Sequence, residues 1–255
     1  MSPPHTPVGI IGGSGLYELL DKPELVEIET PFGSPTSPLH RGLIDGHPVV
    51  FLPRHGDHHR FPAHTVNYRA NVWALKEAGV AAIIAPCSAG SLQPDIEPGH
   101  FVVLDQFVDR TRGRHDTYFD GPGATHTSMA DPYDPAVRAA LIGAAGNAGV
   151  TAHERGTVVV IQGPRFSSRA ESEWFSSMGW HVVNMTQYPE VALAREVGLA
   201  FGGVALVTDY DAGVRGRTDI APVTMEQVFA FFRANIEAVR QVLGLAVARL
   251  ARDPT

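Results

Sequence analysis

Three groups of polar residues follow apolar runs in the second half of this chain: Gly163-Pro-Arg-Phe-Ser-Ser-Arg-Ala-Glu-Ser172, Asn184-Met-Thr186 and Thr208-Asp-Tyr-Asp211. Polar groups gathered where strands end mark a site, because open α/β folds bind ligands beyond the carboxyl ends of their strands. Phe166 offers an aromatic face. Asn184, Met185 and Thr186 offer small polar and apolar groups suited to a sugar. Asp209 and Asp211 offer carboxyls that accept from a heterocycle or, when protonated, donate to it. Near the N-terminus, Gly9-Ile-Ile-Gly-Gly-Ser-Gly15 and Arg54-His55 supply groups that bind anions. Together they describe a place for a phosphate, a sugar and a base.

Each motif also has a simpler explanation. The glycine-rich segment is not a dinucleotide fingerprint: its spacing departs from Gly-x-Gly-x-x-Gly, and no acidic residue closes a clear second strand about 20 residues on. A turn that presents amide N–H groups and the Ser14 hydroxyl to an anion explains it, and so does a tight turn that needs glycine. Arg54 brings a planar fork matched to phosphate oxygens, and His55 reads as an additional donor. Four histidines between positions 55 and 64 invite a metal, but they lack the His-Glu-x-x-His pattern of a helical zinc site and read better as solvated loop residues. Cys87-Ser-Ala-Gly-Ser91 looks like a nucleophile elbow until Pro86 is found where the first glycine belongs, so its hydroxyl and amides are expected to line a ligand pocket. Cys87 by itself reads as a buried thiol. Asp209 and Asp211 alone would read as a solvated acidic loop, and it is their place after the apolar run 204–207 that argues for function.

Bulk properties limit what this site can serve. At 255 residues and 44% hydrophobic, the chain can bury a large core and is expected to form one domain over residues 1–255. A formal charge of −7, with no two Lys or Arg adjacent, argues against a nucleic-acid or membrane surface, so any anion is bound locally. One cysteine excludes an intrachain disulfide and any multi-cysteine metal site. No leader-like segment opens the chain and no apolar run approaches the about 20 residues that span a bilayer, so it reads as cytoplasmic.

The elements that must position these groups alternate in type. Short β-branched runs at 8–11, 25–29, 49–52, 81–85, 101–104, 157–161, 181–183 and 204–207 predict buried, largely parallel strands. Helical patterns lie between them at 65–79, 134–149 and 168–179, the last opened by a Ser168/Glu171 capping box. A final helix from Thr224 carries Val228, Phe232, Ile236, Val239, Leu243 and Val247 on one stripe, which reads as core packing. Residues 113–130 fit neither period and predict a long functional or interfacial loop. Residues 31–47 are expected to wrap an edge, and 211–222 to act as a mobile lid.

Taken in order, these motifs resemble the methylthioadenosine phosphorylases, in the trimeric branch of the purine nucleoside phosphorylase family. The likeness runs from Gly9 to about Val247 and includes Thr30-Pro-Phe-Gly33, Arg54-His-Gly56, Val66-Asn-Tyr-Arg-Ala-Asn-Val-Trp-Ala-Leu-Lys76, Gly90-Ser-Leu92 and Asp105-Gln-Phe-Val-Asp-Arg110. The resemblance implies an α/β fold with a central mixed sheet distorted toward a barrel and flanked by helices. It also implies a homotrimer, and salvage of purine and methionine by phosphorolysis of methylthioadenosine. Inorganic phosphate is the co-substrate, with no cofactor and no metal. By position, Ser14, Arg54, His55 and Thr186 would hold phosphate. Met185 and the backbone near Ser88 would meet the ribose, and Phe166, Ser167, Asp209 and Asp211 would face the base. His126 would enter a neighbouring subunit's site, and Met225 and Val228 would line the pocket for the 5′ substituent. The chain departs from the family at Cys87, where a small polar residue commonly touches phosphate, at Ser88, where alanine is usual, and at Ser14, where threonine is usual. A thiol donates weakly, so phosphate affinity falls or Ser88 takes over the contact.

Such a reaction needs little covalent work from the protein. Phosphate attacks C1′ as the bond to N9 breaks, so catalysis is positioning and charge stabilisation. Asp209, with a pKa raised by burial and by Asp211, is expected to give the hydrogen bond that relieves charge at N7. Two carboxyls sharing a proton suit a 6-aminopurine. A 6-oxopurine phosphorylase, with Asn expected near Asp209, is the alternative, and a silent nucleoside-binding protein is a more distant one.

Overall fold

The computed structural model describes residues 6–252 apart from 14, 18, 213–219 and 222. Its strands are β1 (Val8–Gly12), β2 (Glu24–Val26), β3 (Leu39–Ile44), β4 (His47–Pro53), β5 (Ala82–Ser91), β6 (Phe101–Val103), β7 (Gln106–Arg110), β8 (Ala152–His153), β9 (Thr157–Ile161), β10 (Val182–Asn184) and β11 (Ala200–Asp209). Among the described residues six α-helices accompany them: α1 (Tyr68–Glu77), α2 (Pro135–Ala148), α3 (Arg169–Ser177), α4 (Gln187–Glu196), α5 (Met225–Ala234) and α6 (Ile236–Arg252). The expected α/β class with a mixed sheet holds. The sheet runs β2-β3-β4-β1-β5-β10-β9-β7, and β11 also pairs with β5 and β6. β5 pairs in parallel with both β1 and β11, and its end meets β10 in antiparallel fashion, so the sheet branches at β5 and does not run as one flat layer.

Period-two alternation sorts the side chains onto two faces. Ile11, Val50, Leu52 and Ile83 pack into one core with Val72 and Leu75 of α1 and Val191 and Leu193 of α4. Ile10, Val49, Phe51 and Ile84 pack into the other with Val137 and Leu141 of α2 and Val239, Leu243 and Val247 of α6. Local chemistry sets the helix ends. The Asp134 carboxylate accepts from the Ala136 and Val137 amides, Pro135 occupies the first turn, and Gly149 closes α2 in the left-handed conformation. The Ser168/Glu171 and Thr224/Gln227 capping boxes both form.

Several expectations change. The 31–47 stretch does not merely wrap an edge, because it contains β3, whose alternation is hidden by His40, Arg41 and Gly42. β7 and β8 were not predicted, being short and polar. α4 escapes the pattern for a different reason: from Pro189 to Ala194 every residue is buried, with Pro189 in the first turn, so it shows no amphipathic stripe. The last helix is two helices, broken at Asn235, whose side-chain amide donates to the Phe231 carbonyl at 2.9 Å.

Candidate active site

Strand register brings the distant polar groups together. β1, β4, β5 and β11 run parallel, so Gly13, Arg54 with His55, Ser88 and Asp209 gather at one edge. β10 runs the other way against the end of β5, pairing Val183 with Gly90, which carries Asn184, Met185 and Thr186 back along the same edge. The result is a cavity of about 310 Å³. Arg54, His55, Cys87, Ser88 and Thr186 line it together with Asn184 and Met185 and with Phe166, Asp209, Asp211, Met225 and Val228. The cavity also takes in Phe229, which the sequence did not single out, together with His59, expected as a solvated loop residue, and Phe232, expected as core packing. Ser167 is buried beside Asp211 and does not line it. His126 is exposed and lies outside it. Ser14, and positions 213–219 and 222 of the expected lid, lie outside the described residues.

Arg54 is 1% exposed and faces a partner absent from the sequence-based expectations. Its Nε donates to Glu190 Oε1 at 2.6 Å and its Nη2 to Oε2 at 3.0 Å, with Nη2 also on the Ile11 carbonyl at 2.9 Å and Nη1 on the Pro86 carbonyl at 3.1 Å. Of the five N–H groups of a guanidinium, these four bonds leave one, on Nη1, for a ligand. Burial works against charge at Arg54, but the Glu190 carboxylate outweighs it and holds the guanidinium above its ordinary pKa. Glu190 was not foreseen because its helix was not.

His55 is buried, not a solvated loop residue, and its ring corrects a second expectation. Nδ1 lies 2.8 Å from the Phe61 carbonyl, which can only accept, so Nδ1 carries the proton. Burial, then Arg54 and then His59, push its pKa down to about 3, so the ring is neutral and Nε2 is an acceptor, not the additional donor expected. The ring stacks on His59 at 4.2 Å. Cys87 and Ser88 lie within β5, not after it, because the strand continues to Ser91. Burial pushes the Cys87 thiol up to about 11, so it stays protonated and adds no charge. Among the described residues no group of three or more His, Cys, Asp or Glu is arranged to hold a metal ion.

The two aspartates approach because Gly90 lets them. A Cβ at Gly90 would lie 2.9 Å from Asp209 Oδ1 and 3.0 Å from the Asp211 Cβ, so the glycine of the Ser-Ala-Gly-Ser stretch makes room for the acid pair. Burial raises both carboxyl pKa values, and Asp209 adds to the rise at Asp211. Both Asp209 oxygens are engaged, Oδ1 by the Asp211 N–H at 2.7 Å and Oδ2 by the Thr208 hydroxyl at 2.8 Å. Asp211 Oδ2 is buried with no partner. Each carboxyl is therefore held above its ordinary pKa, and Asp211 Oδ2 is the oxygen of the pair left without a hydrogen-bond partner.

Arg114, at the start of the 113–130 loop, is another residue the sequence did not flag. Its guanidinium donates to the carbonyls of Met185 at 2.9 Å and Gln162 at 3.0 Å, tying the loop to the backbone of the cavity wall. Glu196 accepts from Thr117 and Tyr118, so the first part of the loop is anchored to α4 while residues 121–126 are exposed.

Residues 7–250 match the model of the phosphorylase superfamily. The S-methyl-5′-thioadenosine phosphorylase of Mycobacterium tuberculosis is 49% identical over 97% of this chain and 91% of its own. The purine nucleoside phosphorylase of Streptomyces coelicolor is 47% identical over 95% and 89%. Among solved structures, the methylthioadenosine phosphorylase of Schistosoma mansoni in complex with adenine superposes with a TM-score of 0.92 at 41% identity, covering 97% of this chain and 93% of that one. A single-residue mutant of that enzyme in complex with methylthioadenosine gives a TM-score of 0.90 at 40% identity over 97% and 92%.

Proposed function

From the premise that this chain belongs to the phosphorylase superfamily, we propose that it cleaves 5′-methylthioadenosine with inorganic phosphate, giving adenine and 5-methylthioribose 1-phosphate. One observation carries the reading: an anion-binding group and a buried acid pair meet in a single cavity. The remaining N–H of Arg54, with Ser88, Thr186 and Ser14, holds phosphate, and Cys87 stands beside them as a neutral thiol. Asn184 and Met185 lie along the ribose, Phe166 faces the base, and Met225 and Val228 receive the methylthio group.

Catalysis is then positioning and electrostatics. Phosphate, fixed below the sugar, attacks C1′ while its charge offsets the ribosyl cation. The shared proton of the Asp209/Asp211 pair relieves charge at N7 of the leaving purine, and the unpartnered Asp211 oxygen accepts from the 6-amino group. The reaction calls on no cofactor or metal. Its place is purine and methionine salvage. No helix among the described residues is long and apolar enough to cross a membrane, and the small polar substrates suit a cytoplasmic enzyme. The exposed tip of the 113–130 loop, with His126, completes the site of a neighbour in a homotrimer; a fully active monomer by light scattering would overturn that assembly.

A 6-oxopurine activity is the second reading, favoured by the relative named a purine nucleoside phosphorylase. Initial rates with methylthioadenosine, adenosine, methylthioinosine and inosine, each with and without phosphate, separate the two. Methylthioadenosine should be cleaved fastest and only with phosphate. A preference for the 6-oxo nucleosides would reverse the assignment.

A further inference from the structure

The first residue of α3 reaches across the base side of the cavity without lining it. Arg169 Nη1 donates to the Ala212 carbonyl at 3.0 Å, and Nη2 donates to the Ile220 carbonyl at 3.3 Å. Ala212 directly follows Asp211, whose φ of 51° lies in the left-handed region that a side chain disfavours. A backbone in that region persists only where its surroundings hold it. On one side the hold is visible, as the Asp211 N–H donates to Asp209 Oδ1 at 2.7 Å. On the other side it is Arg169 on the very next carbonyl. The side chain carried between these two restraints ends in the buried Oδ2 that has no partner.

Two features suit arginine to this work. Its terminal nitrogens form a rigid planar fork, so one side chain fixes two carbonyls at a set spacing, which a lysine cannot do. Its own backbone is fixed as well, because Arg169 sits inside the capping box of Ser168 and Glu171, and Glu171 is in turn held by Arg165 at 2.7 Å. The Ile220 carbonyl leads in sequence to α5, where Met225 and Val228 line the cavity.

We propose that Arg169 is a positioning residue for base recognition, which aims Asp211 by holding the Ala212 and Ile220 carbonyls. It contacts no substrate. The proposal rests on the reading of Asp211 as a base contact, and the test separates the two.

Adenine and phosphate binding are measured by calorimetry, and methylthioadenosine kinetics by initial rates, for the wild type, R169A and R169K. Losing charge-assisted hydrogen bonds of this kind should weaken adenine and raise the KM for methylthioadenosine about tenfold in R169A, with the phosphate KM within about twofold of wild type. Because Arg169 is exposed, the thermal midpoint should not move. R169K should recover part of the loss. Unchanged adenine affinity in R169A overturns the proposal, and so does equal weakening of adenine and phosphate or a lysine variant no better than alanine. A wild type that neither binds adenine nor releases it from methylthioadenosine overturns the proposed function, and the role of Arg169 falls with it. A wild type that does both beside an unaffected R169A overturns the Arg169 proposal alone.

Discussion

Replacing Glu190 by glutamine removes one negative charge from a fully buried position and turns one carboxylate oxygen into an NH2 group. In the native protein Arg54 reaches both oxygens, at 2.6 and 3.0 Å, so after the exchange one donor faces another and the guanidinium loses its counter-charge. Breaking a buried pair by removing one partner costs about 3–5 kcal/mol, and the surviving amide oxygen places E190Q near the lower end. For a chain of this size about 3 kcal/mol lowers the thermal midpoint by about 6–12 °C. One amide oxygen and the Pro86 and Ile11 carbonyls, at 3.1 and 2.9 Å, would still hold the guanidinium, but with a donor facing a donor and no counter-charge. Its last N–H then loses its aim, and the phosphate KM should rise by about tenfold to a hundredfold, the value of a hydrogen bond to a charged group. The nucleoside KM, set by other residues, should change little. Thermal unfolding and initial rates with phosphate varied at saturating nucleoside read both effects. A variant with native stability and native phosphate KM would refute the idea that Glu190 aims Arg54, and an equal rise in both KM values would reduce the glutamate to a structural role.

Further outcomes are expected elsewhere in the site. C87T replaces a protonated thiol, a weak donor, by a hydroxyl and should lower the phosphate KM by about threefold to tenfold with the nucleoside KM unaltered, as one improved hydrogen bond would; an unchanged phosphate KM would place Cys87 away from the anion. D209N keeps a donor but loses the carboxyl whose two oxygens accept from the Asp211 N–H and the Thr208 hydroxyl, and should shift preference from methylthioadenosine toward methylthioinosine; a native ratio of kcat/KM for the two would show that Asp209 does not read the base. Glu171 is held down to about 2, first by its hydrogen bond to Arg165 and then by the Ser168 N–H, against an ordinary value of 4.5. Its stabilising contribution is therefore complete above pH 4.5 and lost as pH falls toward 2, and E171Q should flatten that part of the acid unfolding curve. An acid limb that stays native in shape would argue against this.

The fold was legible where local chemistry and burial pattern agree. Runs such as 8–11 and 49–52 are apolar on both faces, and the Asp134-Pro135 and Ser168/Glu171 signals mark true helix starts. It was illegible where tertiary burial overrides pattern. α4 carries no stripe because Pro189 to Ala194 are all buried, and the partner of Arg54 was hidden with it. The candidate site was visible in part as residue types expected after apolar runs and in part, as for Met225 and Val228, only through the family resemblance; twelve of the residues so named line one cavity: Arg54, His55, Cys87, Ser88, Phe166, Asn184, Met185, Thr186, Asp209, Asp211, Met225 and Val228. Hydrogen-bond direction was not visible. That His55 is an acceptor follows from the Phe61 carbonyl, and that Asp211 has the unpartnered oxygen follows from Thr208 and the Asp211 amide occupying Asp209. Neither contact leaves a mark in residue spacing.

The most direct measurement is of products. Incubated with methylthioadenosine and phosphate, the protein should form adenine and 5-methylthioribose 1-phosphate in equal amounts, and should form neither without phosphate. Release of adenine with free methylthioribose, at a rate indifferent to phosphate, would contradict phosphorolysis and the role given to the Arg54 side of the cavity.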